Sequence, residues 1–200
     1  MSTIYLIRHG EIVSSSPRRF IGQSDLEMTA HGHKQIECLA SYLMGFSIER
    51  VVSSPLLRCR QSACIIGTAV DCIPAVVDEL SEIALGAWEG LTVADVQKQY
   101  PGEYDARGKD MTEYRPPEGE SFTDLFERAW PAFVKVMAAG NERTAVVTHA
   151  GVIRVLLCHL LGMPLANLFR LEQSYGCINV VHVDKGKWRV ECMNRTVRNM

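Results

Sequence analysis

The stretch Ile4-Tyr5-Leu6-Ile7-Arg8-His9-Gly10-Glu11 begins as an apolar run and ends in charged residues around a glycine. Such a run predicts a buried strand, and the polar residues after it mark the strand end. Much later, the apolar run Ala145-Val146-Val147 is followed by Thr148-His149-Ala150-Gly151. Open α/β sheets bind ligands at the carboxyl ends of their strands, so both histidines are expected in one site at that edge.

The rest of the chain alternates short apolar runs with helical patterns, which predicts parallel βαβ units. Strands are expected at 3–8, 50–53, 75–78 and 145–149, and helices at 29–45, from Pro55, at 121–139 and at 152–161. Thr29 and Ser121 suit helix N-caps, and Gly45 suits a helix C-terminus. A closing hairpin over 178–192 predicts an antiparallel edge. The expected fold is therefore α/β, a three-layer α/β/α sandwich with a mostly parallel central sheet that is antiparallel at one edge.

The segment from about residue 81 to 117 is rich in glycine and charge and has little periodicity, apart from a short helix near 92–100. Connections of this length usually carry function, so we expect an excursion over the active-site edge of the sheet. No repeat, low-complexity tract or linker interrupts the chain. Residues 1–200 are therefore expected to form a single domain.

Composition excludes several classes of function. A hydrophobic content of 47% and a charged content of 22% are ordinary for a globular protein, and the formal charge is -2. This charge, without a basic stripe, predicts binding of neither nucleic acid nor anionic membrane. The seven cysteines include no C-x-x-C pair, which favours reduced thiols and a cytoplasmic location. The longest apolar stretch, 155–163, contains His159 and is too short to span a bilayer.

Residues around the two strand ends have side chains suited to phosphoryl transfer. Arg8 offers a planar fork for an anion, and His9 can be a nucleophile if one ring nitrogen is held and the other is free. Arg58 lies about one turn into a helix whose N-terminus is itself an anion site, whereas Arg60 lies on another face. Each of these residues alone also has an ordinary structural interpretation.

Glu82 has apolar neighbours and suits a general acid, with Glu79 and Glu89 as local alternatives. His149 adds a second imidazole at a strand end, before a helix N-terminus that can donate backbone N–H groups. Together, two histidines, two arginines and one glutamate describe a phosphoryl-transfer site without a metal. The pair His31-x-His33 has no carboxylate or cysteine at ligand spacing, so no metal site is expected there.

These motifs resemble those of the histidine phosphatase superfamily, also called the phosphoglycerate mutase-like family. The resemblance covers nearly the whole chain, and its motifs occur in family order. They are R-H-G-E at 8–11, the stretch from Phe20 to Gly32, S-S-P-L-L-R-C-R-Q-S-A at 53–63, S-E-I-A-L-G-A-W-E-G at 81–90, P-P-E-G-E-S at 116–121 and V-V-T-H-A-G at 146–151. The resemblance implies a phosphoglycerate mutase-like fold and catalysis without a cofactor.

The resemblance also implies a role for each matching residue. His9 matches the histidine that becomes phosphorylated, and Glu82 matches the proton donor that later activates water. The implied ligands of the phosphoryl group are Arg8, Arg58, His149, Gln23 and the backbone N–H of Ala150. Two positions depart from the family pattern: Ile12 replaces a threonine, and Ser15 stands where an asparagine would contact phosphate. A serine hydroxyl can still donate one hydrogen bond, so an altered phosphate pocket is expected.

The resemblance favours phosphomonoester hydrolysis through a phosphohistidine on His9. The C-terminal stretch 160–171, with Tyr175-Gly176-Cys177 after it, is similar to α-ribazole phosphatases, which implies α-ribazole 5′-phosphate, a metabolite of cobalamin biosynthesis, as substrate. Phosphoglycerate mutases share the motifs but usually carry a longer excursion and Gly-Trp where this chain has Gly22-Gln23. A broad-specificity phosphatase and a non-catalytic binding protein on the same fold stay open. The expected partner is a small phosphorylated substrate, and the edge hairpin could pair in a homodimer.

Overall fold

A computed structural model of the chain describes residues 2–13, 17–140 and 142–197. The strands are β1 (Ser2–Arg8), β2 (Arg50–Ser53), β3 (Ala75–Val76), β4 (Arg143–Thr148), β5 (Ile178–Asp184) and β6 (Lys187–Arg195). The helices are α1 (Ala30–Leu43), α2 (Leu57–Val70), α3 (Val93–Gln99), α4 (Glu103–Lys109), α5 (Phe122–Ala138) and α6 (Ala150–Leu160). None of the helices within these described ranges is long and apolar enough to cross a membrane.

The strands form one sheet in the order β3-β2-β4-β1-β5-β6. Neighbours from β3 to β1 are parallel, whereas β5 and β6 are added antiparallel at one edge. Side chains alternate across β1: Ile4 and Leu6 join a core with α5 and α6, and Tyr5 and Ile7 join a core with α1 and α2. The predicted α/β/α sandwich, mostly parallel and antiparallel at one edge, is confirmed.

The register of β1 and β4 positions the candidate site. Arg8 pairs with Thr148, so the residues that follow, His9 and His149, leave the sheet side by side at its carboxyl edge. The backbone N–H of His9 continues the ladder by donating to the Thr148 carbonyl at 3.1 Å. Two residues far apart in the chain are therefore held together by the most buried part of the sheet.

Both predicted N-caps agree with the structure, whereas the predicted end of α1 does not. Thr29 accepts a hydrogen bond from the Gly32 N–H, and Ser121 forms a capping box with Asp124, as expected of N-caps. Gly45, predicted to end α1, instead lies inside a 3₁₀ turn at Met44–Phe46, and Ser47 adopts the left-handed conformation at φ 47°.

Other predicted bounds were wrong by a few residues. Helix α2 begins at Leu57, two residues after Pro55, so Pro55 is not its first residue. Helix α6 begins at Ala150 rather than 152, and β3 is limited to Ala75–Val76. Helix α4 was missed because its seven residues include a glycine and show little apolar periodicity.

Backbone hydrogen bonds join the two ends of the excursion that follows residue 81. The Glu120 N–H donates to the Ala84 carbonyl at 2.8 Å, and the Ala87 N–H donates to the Pro117 carbonyl at 2.9 Å. Gly86 has φ +52°, and a Cβ there would lie 2.1 Å from the Pro117 oxygen, so this crossing requires glycine. The two ends of the excursion therefore meet beside the loop that carries Glu82.

Candidate active site

His9 is held in one tautomer with its other nitrogen free. Its Nδ1 lies 2.8 Å from the Gly10 carbonyl oxygen, which can only accept, so Nδ1 carries the proton. Its Nε2 then keeps a lone pair, and within the described residues it has no hydrogen-bond partner. The ring is buried between His149 and Tyr175, whose centroids lie 5.2 and 5.5 Å away. This is the arrangement that a nucleophilic imidazole requires.

His149 is also completely buried, and it contacts Ser54 on the β2–α2 connection and Cys59 in α2. Its Nε2 lies 2.7 Å from the Ser54 hydroxyl oxygen and 3.4 Å from the Cys59 sulfur. Burial raises the pKa of the Cys59 thiol, which therefore stays protonated as a small neutral neighbour. The His149 ring is thus fixed edge-on to His9 at the end of the adjacent strand.

Both histidines are neutral in the folded protein. Burial lowers the pKa of His9 well below its ordinary value, and the charges of Arg8 and Arg58 lower it further. Burial likewise lowers the pKa of His149, with Arg58 and His9 as the next causes. A neutral imidazole is the nucleophilic form, so the charges of Arg8 and Arg58 favour the form of His9 that could act as a nucleophile.

These shifts predict an acid-sensitive fold. Below the ordinary histidine pKa of 6.5, His9 and His149 take up protons in the unfolded chain but not in the folded protein. The free energy of unfolding therefore decreases as the pH falls. The loss approaches about 1.4 kcal/mol per pH unit for each histidine. In urea unfolding between pH 6.5 and 5.5, His149→Gln should show a shallower pH slope than wild type, and exposed His31→Gln should not. Equal slopes for wild type and His149→Gln would contradict this origin.

Two arginines line the histidine pair. Arg8 donates from Nη1 to the Gln173 carbonyl at 2.5 Å, and its guanidinium lies 3.7 Å from the centroid of the Tyr175 ring. Arg58 donates from Nη1 and Nη2 to the carbonyls of Ser24 and Gly22, both at 2.6 Å. The Nε–H of each arginine is buried without a partner within the described residues. Each guanidinium is therefore fixed in place with donor capacity left for an anion.

Glu82 is tied to the start of α6, directly beyond His149. Its Oε2 accepts the Gly151 N–H at 3.1 Å, and its Oε1 accepts the Ile83 N–H at 3.0 Å. A Cβ on Gly151 would lie 2.2 Å from Oε1, so only glycine admits the carboxyl group at this position. The buried carboxyl group therefore lies at the start of α6, two residues after His149, and its charge acts on Arg8.

The two alternative glutamates have other places. Glu79 is exposed. Glu89 accepts the N–H groups of Gly22 and Ser24 at 2.8 and 3.0 Å, and so shapes the loop whose carbonyls hold Arg58. Glu89 thus supports the site from outside it.

Sequence reasoning missed the residue that holds the Glu82 loop. Arg128 on α5 donates to the backbone carbonyls of Glu79, Ser81 and Glu82 at 2.7, 2.9 and 2.9 Å. It also pairs with Glu120 at 2.7 Å, and Glu120 in turn accepts the Ala84 N–H at 2.9 Å. Glu120 lies in the P-P-E-G-E-S motif, which was the available signal, but nothing in that motif indicated its partner.

A buried amide network, also missed, supports Arg8 from β5. The Gln173 and Asn179 side chains exchange hydrogen bonds at 2.9 and 3.0 Å, and Asn179 also donates to the Leu6 carbonyl at 3.1 Å. The loop between them carries Tyr175, which covers both Arg8 and His9. The sequence around Tyr175 indicated only a similarity to α-ribazole phosphatases, and it did not predict that Tyr175 lies in the candidate site.

The remaining predicted ligands have different places. Gln23 is exposed and its amide donates to the Glu82 carbonyl at 3.0 Å, beside the site. Ala150 is the first residue of α6, so its N–H lies at the positive end of that helix. Ser15 lies outside the described residues, and its contact with phosphate stays a prediction. Ile12 is buried and pairs with Met28 through an isolated β-bridge. Ile12 therefore occupies a core position rather than a phosphate contact.

No group of three metal-ligating side chains occurs in the parts of the chain that the structure describes. His31 lies on the exposed face of α1, and His33 is half-buried. Arg60 is exposed on α2, away from the Arg58 face, as the helical spacing predicted.

Comparison with known proteins places the chain in a family. The family model of the histidine phosphatase superfamily (branch 1) matches residues 4–196. The chain belongs to this superfamily. The family that the sequence motifs predicted, and the predicted enzyme class, a phosphatase, are confirmed at the level of the superfamily.

Individual relatives are more distant. The chain is 32% identical over 196 residues to a bifunctional protein of Mycobacterium tuberculosis, covering 96% of this chain and 54% of the relative. The chain thus spans about half the length of that relative. It is 26% identical to the adenosylcobalamin/α-ribazole phosphatase of Escherichia coli, covering 91% of this chain and 90% of the relative. The native structure of a mycobacterial glucosyl-3-phosphoglycerate phosphatase superposes with a TM-score of 0.88 at 26% identity, covering 98% and 99% of the two chains.

Proposed function

We propose that the protein is a metal-independent phosphomonoester hydrolase that works through a phosphohistidine on His9. The observation that carries this proposal is the state of the His9 ring. Its Nδ1 is fixed by the Gly10 carbonyl, its Nε2 keeps a lone pair, and two cationic guanidinium groups flank it. A non-catalytic binding site has no need of a neutral, oriented imidazole beside a buried carboxyl group.

The first step transfers the phosphoryl group to the enzyme. The Nε2 lone pair attacks phosphorus, a P–N bond forms and the P–O bond to the leaving group breaks. Arg8, Arg58 and His149 hold the phosphoryl oxygens as charge develops on them, and protonated Glu82 gives its proton to the leaving oxygen.

The second step returns the enzyme to its starting state. The ionised Glu82 takes a proton from water, which attacks phosphorus as the P–N bond breaks. Inorganic phosphate leaves, His9 regains its neutral form and Glu82 carries the proton again, so the cycle balances without a metal or cofactor.

The substrate is a small phosphorylated metabolite in the cytoplasm. α-Ribazole 5′-phosphate is one candidate, supported by the similar C-terminal stretch and by the 26% identical E. coli relative. A phosphorylated glycerate derivative is the second, supported by the 26% identical glucosyl-3-phosphoglycerate phosphatase, which matches 98% of this chain. Mutase-type transfer and broad specificity are the remaining alternatives.

The test is turnover in EDTA with α-ribazole 5′-phosphate, glucosyl-3-phosphoglycerate and 3-phosphoglycerate side by side. We expect release of inorganic phosphate, with an efficiency that identifies the preferred ester. Isomerisation of 3-phosphoglycerate without release would make the protein a mutase. Absence of turnover, together with absence of a trapped phosphoenzyme, would leave a binding protein on this fold.

A further inference from the structure

The two arginines of the proposed phosphoryl site are held in different ways. Arg58 donates from both Nη groups, to the carbonyls of Ser24 and Gly22 at 2.6 Å, and two such bonds fix the plane of a guanidinium group. Within the described residues the Arg8 guanidinium donates one hydrogen bond, from Nη1 to the Gln173 carbonyl at 2.5 Å. A single hydrogen bond leaves the group free to turn about that contact. A further contact must therefore fix the plane of Arg8.

The aromatic ring of Tyr175 supplies this contact. The guanidinium carbon of Arg8 lies 3.7 Å from the centroid of the ring. In the other arginine–aromatic pairs of the described residues, the same distance is 5.0 to 5.9 Å. A cation over a ring face is attracted by the ring quadrupole, and the attraction is stronger when both groups are withdrawn from water. The Tyr175 ring is therefore the closest planar support that an arginine has in the described part of the chain.

The backbone around Tyr175 is bonded to the two residues that the ring covers. The Gly176 N–H donates to the His9 carbonyl at 3.0 Å, and the Arg8 N–H donates to the Cys177 carbonyl at 3.0 Å. Gly176 has φ +63°, a left-handed turn that suits glycine. The ring centroid of Tyr175 lies 5.5 Å from that of His9. The position of the ring is thus fixed relative to both residues by the backbone itself.

We propose that Tyr175 is a positioning residue for phosphoryl transfer, whose ring sets the plane of the Arg8 guanidinium. The inference rests on the proposed function and adds a residue that acts through Arg8 rather than on the substrate. The Nε–H of Arg8 is buried without a partner within the described residues, so its direction depends on that plane. Without the ring, the positive charge stays near the phosphoryl group but its N–H donors lose their alignment with the oxygens.

The first test removes the ring face. Tyr175→Leu should lower kcat for p-nitrophenyl phosphate by about 10- to 100-fold and change KM by less than about threefold, because charge attraction survives and alignment does not. Tyr175→Phe keeps the ring and should restore most of kcat. Tyr42→Leu is the matched control, since the Tyr42 ring lies 5.0 Å from the guanidinium carbon of Arg195, outside the site. This control should leave kcat unchanged.

A double-mutant cycle shows whether Tyr175 acts through Arg8. In an Arg8→Gln background, Tyr175→Leu should lower kcat by less than about threefold, because the guanidinium that the ring positions is already gone. If the two losses multiply instead, Tyr175 acts elsewhere and the proposal is wrong. The proposal is equally wrong if Tyr175→Phe is as slow as Tyr175→Leu, because the hydroxyl would then be the acting group.

Binding of orthovanadate provides a readout that does not need turnover. Five-coordinate vanadate resembles the phosphoryl group during transfer, whereas inorganic phosphate resembles the ground state. In calorimetric titrations, Tyr175→Leu should weaken orthovanadate binding by about 10- to 100-fold and phosphate binding by less than about threefold. The urea midpoint of each variant shows that it is folded, and Tyr175→Met replaces the leucine variant if leucine lowers that midpoint.

These titrations separate the positioning role from the proposed function. If wild type hydrolyses p-nitrophenyl phosphate but orthovanadate binds Tyr175→Leu as tightly as wild type, the positioning role is wrong while the phosphatase stands. If wild type hydrolyses no ester and forms no phosphohistidine, the proposed function fails. A loss of orthovanadate affinity in Tyr175→Leu that disappears in the Arg8→Gln background would still support the positioning of Arg8 in that case.

Discussion

His9→Ala is expected to lower kcat/KM for phosphate release by about 10⁴-fold or more, the scale seen when a covalent nucleophile is removed. Alanine removes the only atom that forms the P–N bond, while Arg8 and Arg58 keep their own supports on Gln173, Ser24 and Gly22. Binding of the phosphoryl group should therefore suffer much less than turnover. Steady-state kinetics in EDTA measure both quantities.

The decisive readout is the phosphoenzyme. Wild type incubated with a ³²P-labelled ester and quenched in denaturant should carry label on one histidine, and His9→Ala should carry none. His31→Ala, on the exposed face of α1, is the matched control and should keep both label and turnover. Retention of wild-type hydrolysis by His9→Ala would overturn the phosphohistidine mechanism, whatever the substrate.

The positions of His9, His149 and Arg58 were predictable because each follows a strong local signal. His9 and His149 directly follow the apolar strands β1 and β4, and topology alone brings the ends of a parallel strand pair together. Arg58 follows a strand and lies in the first turns of the next helix, a position set by periodicity. For these residues, the local sequence pattern is enough to predict the position in the fold.

The supports of the site were not predictable in this way. Arg128 holds the Glu82 carbonyl from 46 residues away, and Gln173 holds Arg8 from 165 residues away. An arginine on an amphipathic helix and a glutamine in a loop have no periodicity that identifies a distant partner. Likewise, nothing in the sequence around Gly151 identifies its partner, and the structure shows that the group it admits is the Glu82 carboxyl. The candidate site residues were thus visible in the sequence, and the residues that hold them in position were not.

Glu82→Gln should separate the two steps of the cycle. Glutamine has the same size but cannot donate a proton to the leaving oxygen, so hydrolysis of alkyl phosphates should fall by about 10²- to 10⁴-fold. p-Nitrophenolate leaves without a proton, so phosphorylation of His9 by p-nitrophenyl phosphate should fall by less than about tenfold. The same variant also lacks the base for water, so p-nitrophenol should appear in a stoichiometric burst followed by slow turnover.

The burst distinguishes loss of proton transfer from a disturbed fold, because a disturbed fold would slow both steps for every ester. Glu79→Gln is the control, since that side chain is exposed and only its backbone carbonyl contacts Arg128. Rapid-quench measurements with both esters, and the amount of trapped phosphohistidine, separate the alternatives. An equal loss for alkyl and p-nitrophenyl esters, without accumulated phosphoenzyme, would mean that Glu82 does not transfer the proton. The hydrogen bonds that Glu82 accepts from Gly151 and Ile83 would then mark it as a support for the start of α6, and the acid would have to be found elsewhere at the same edge of the sheet.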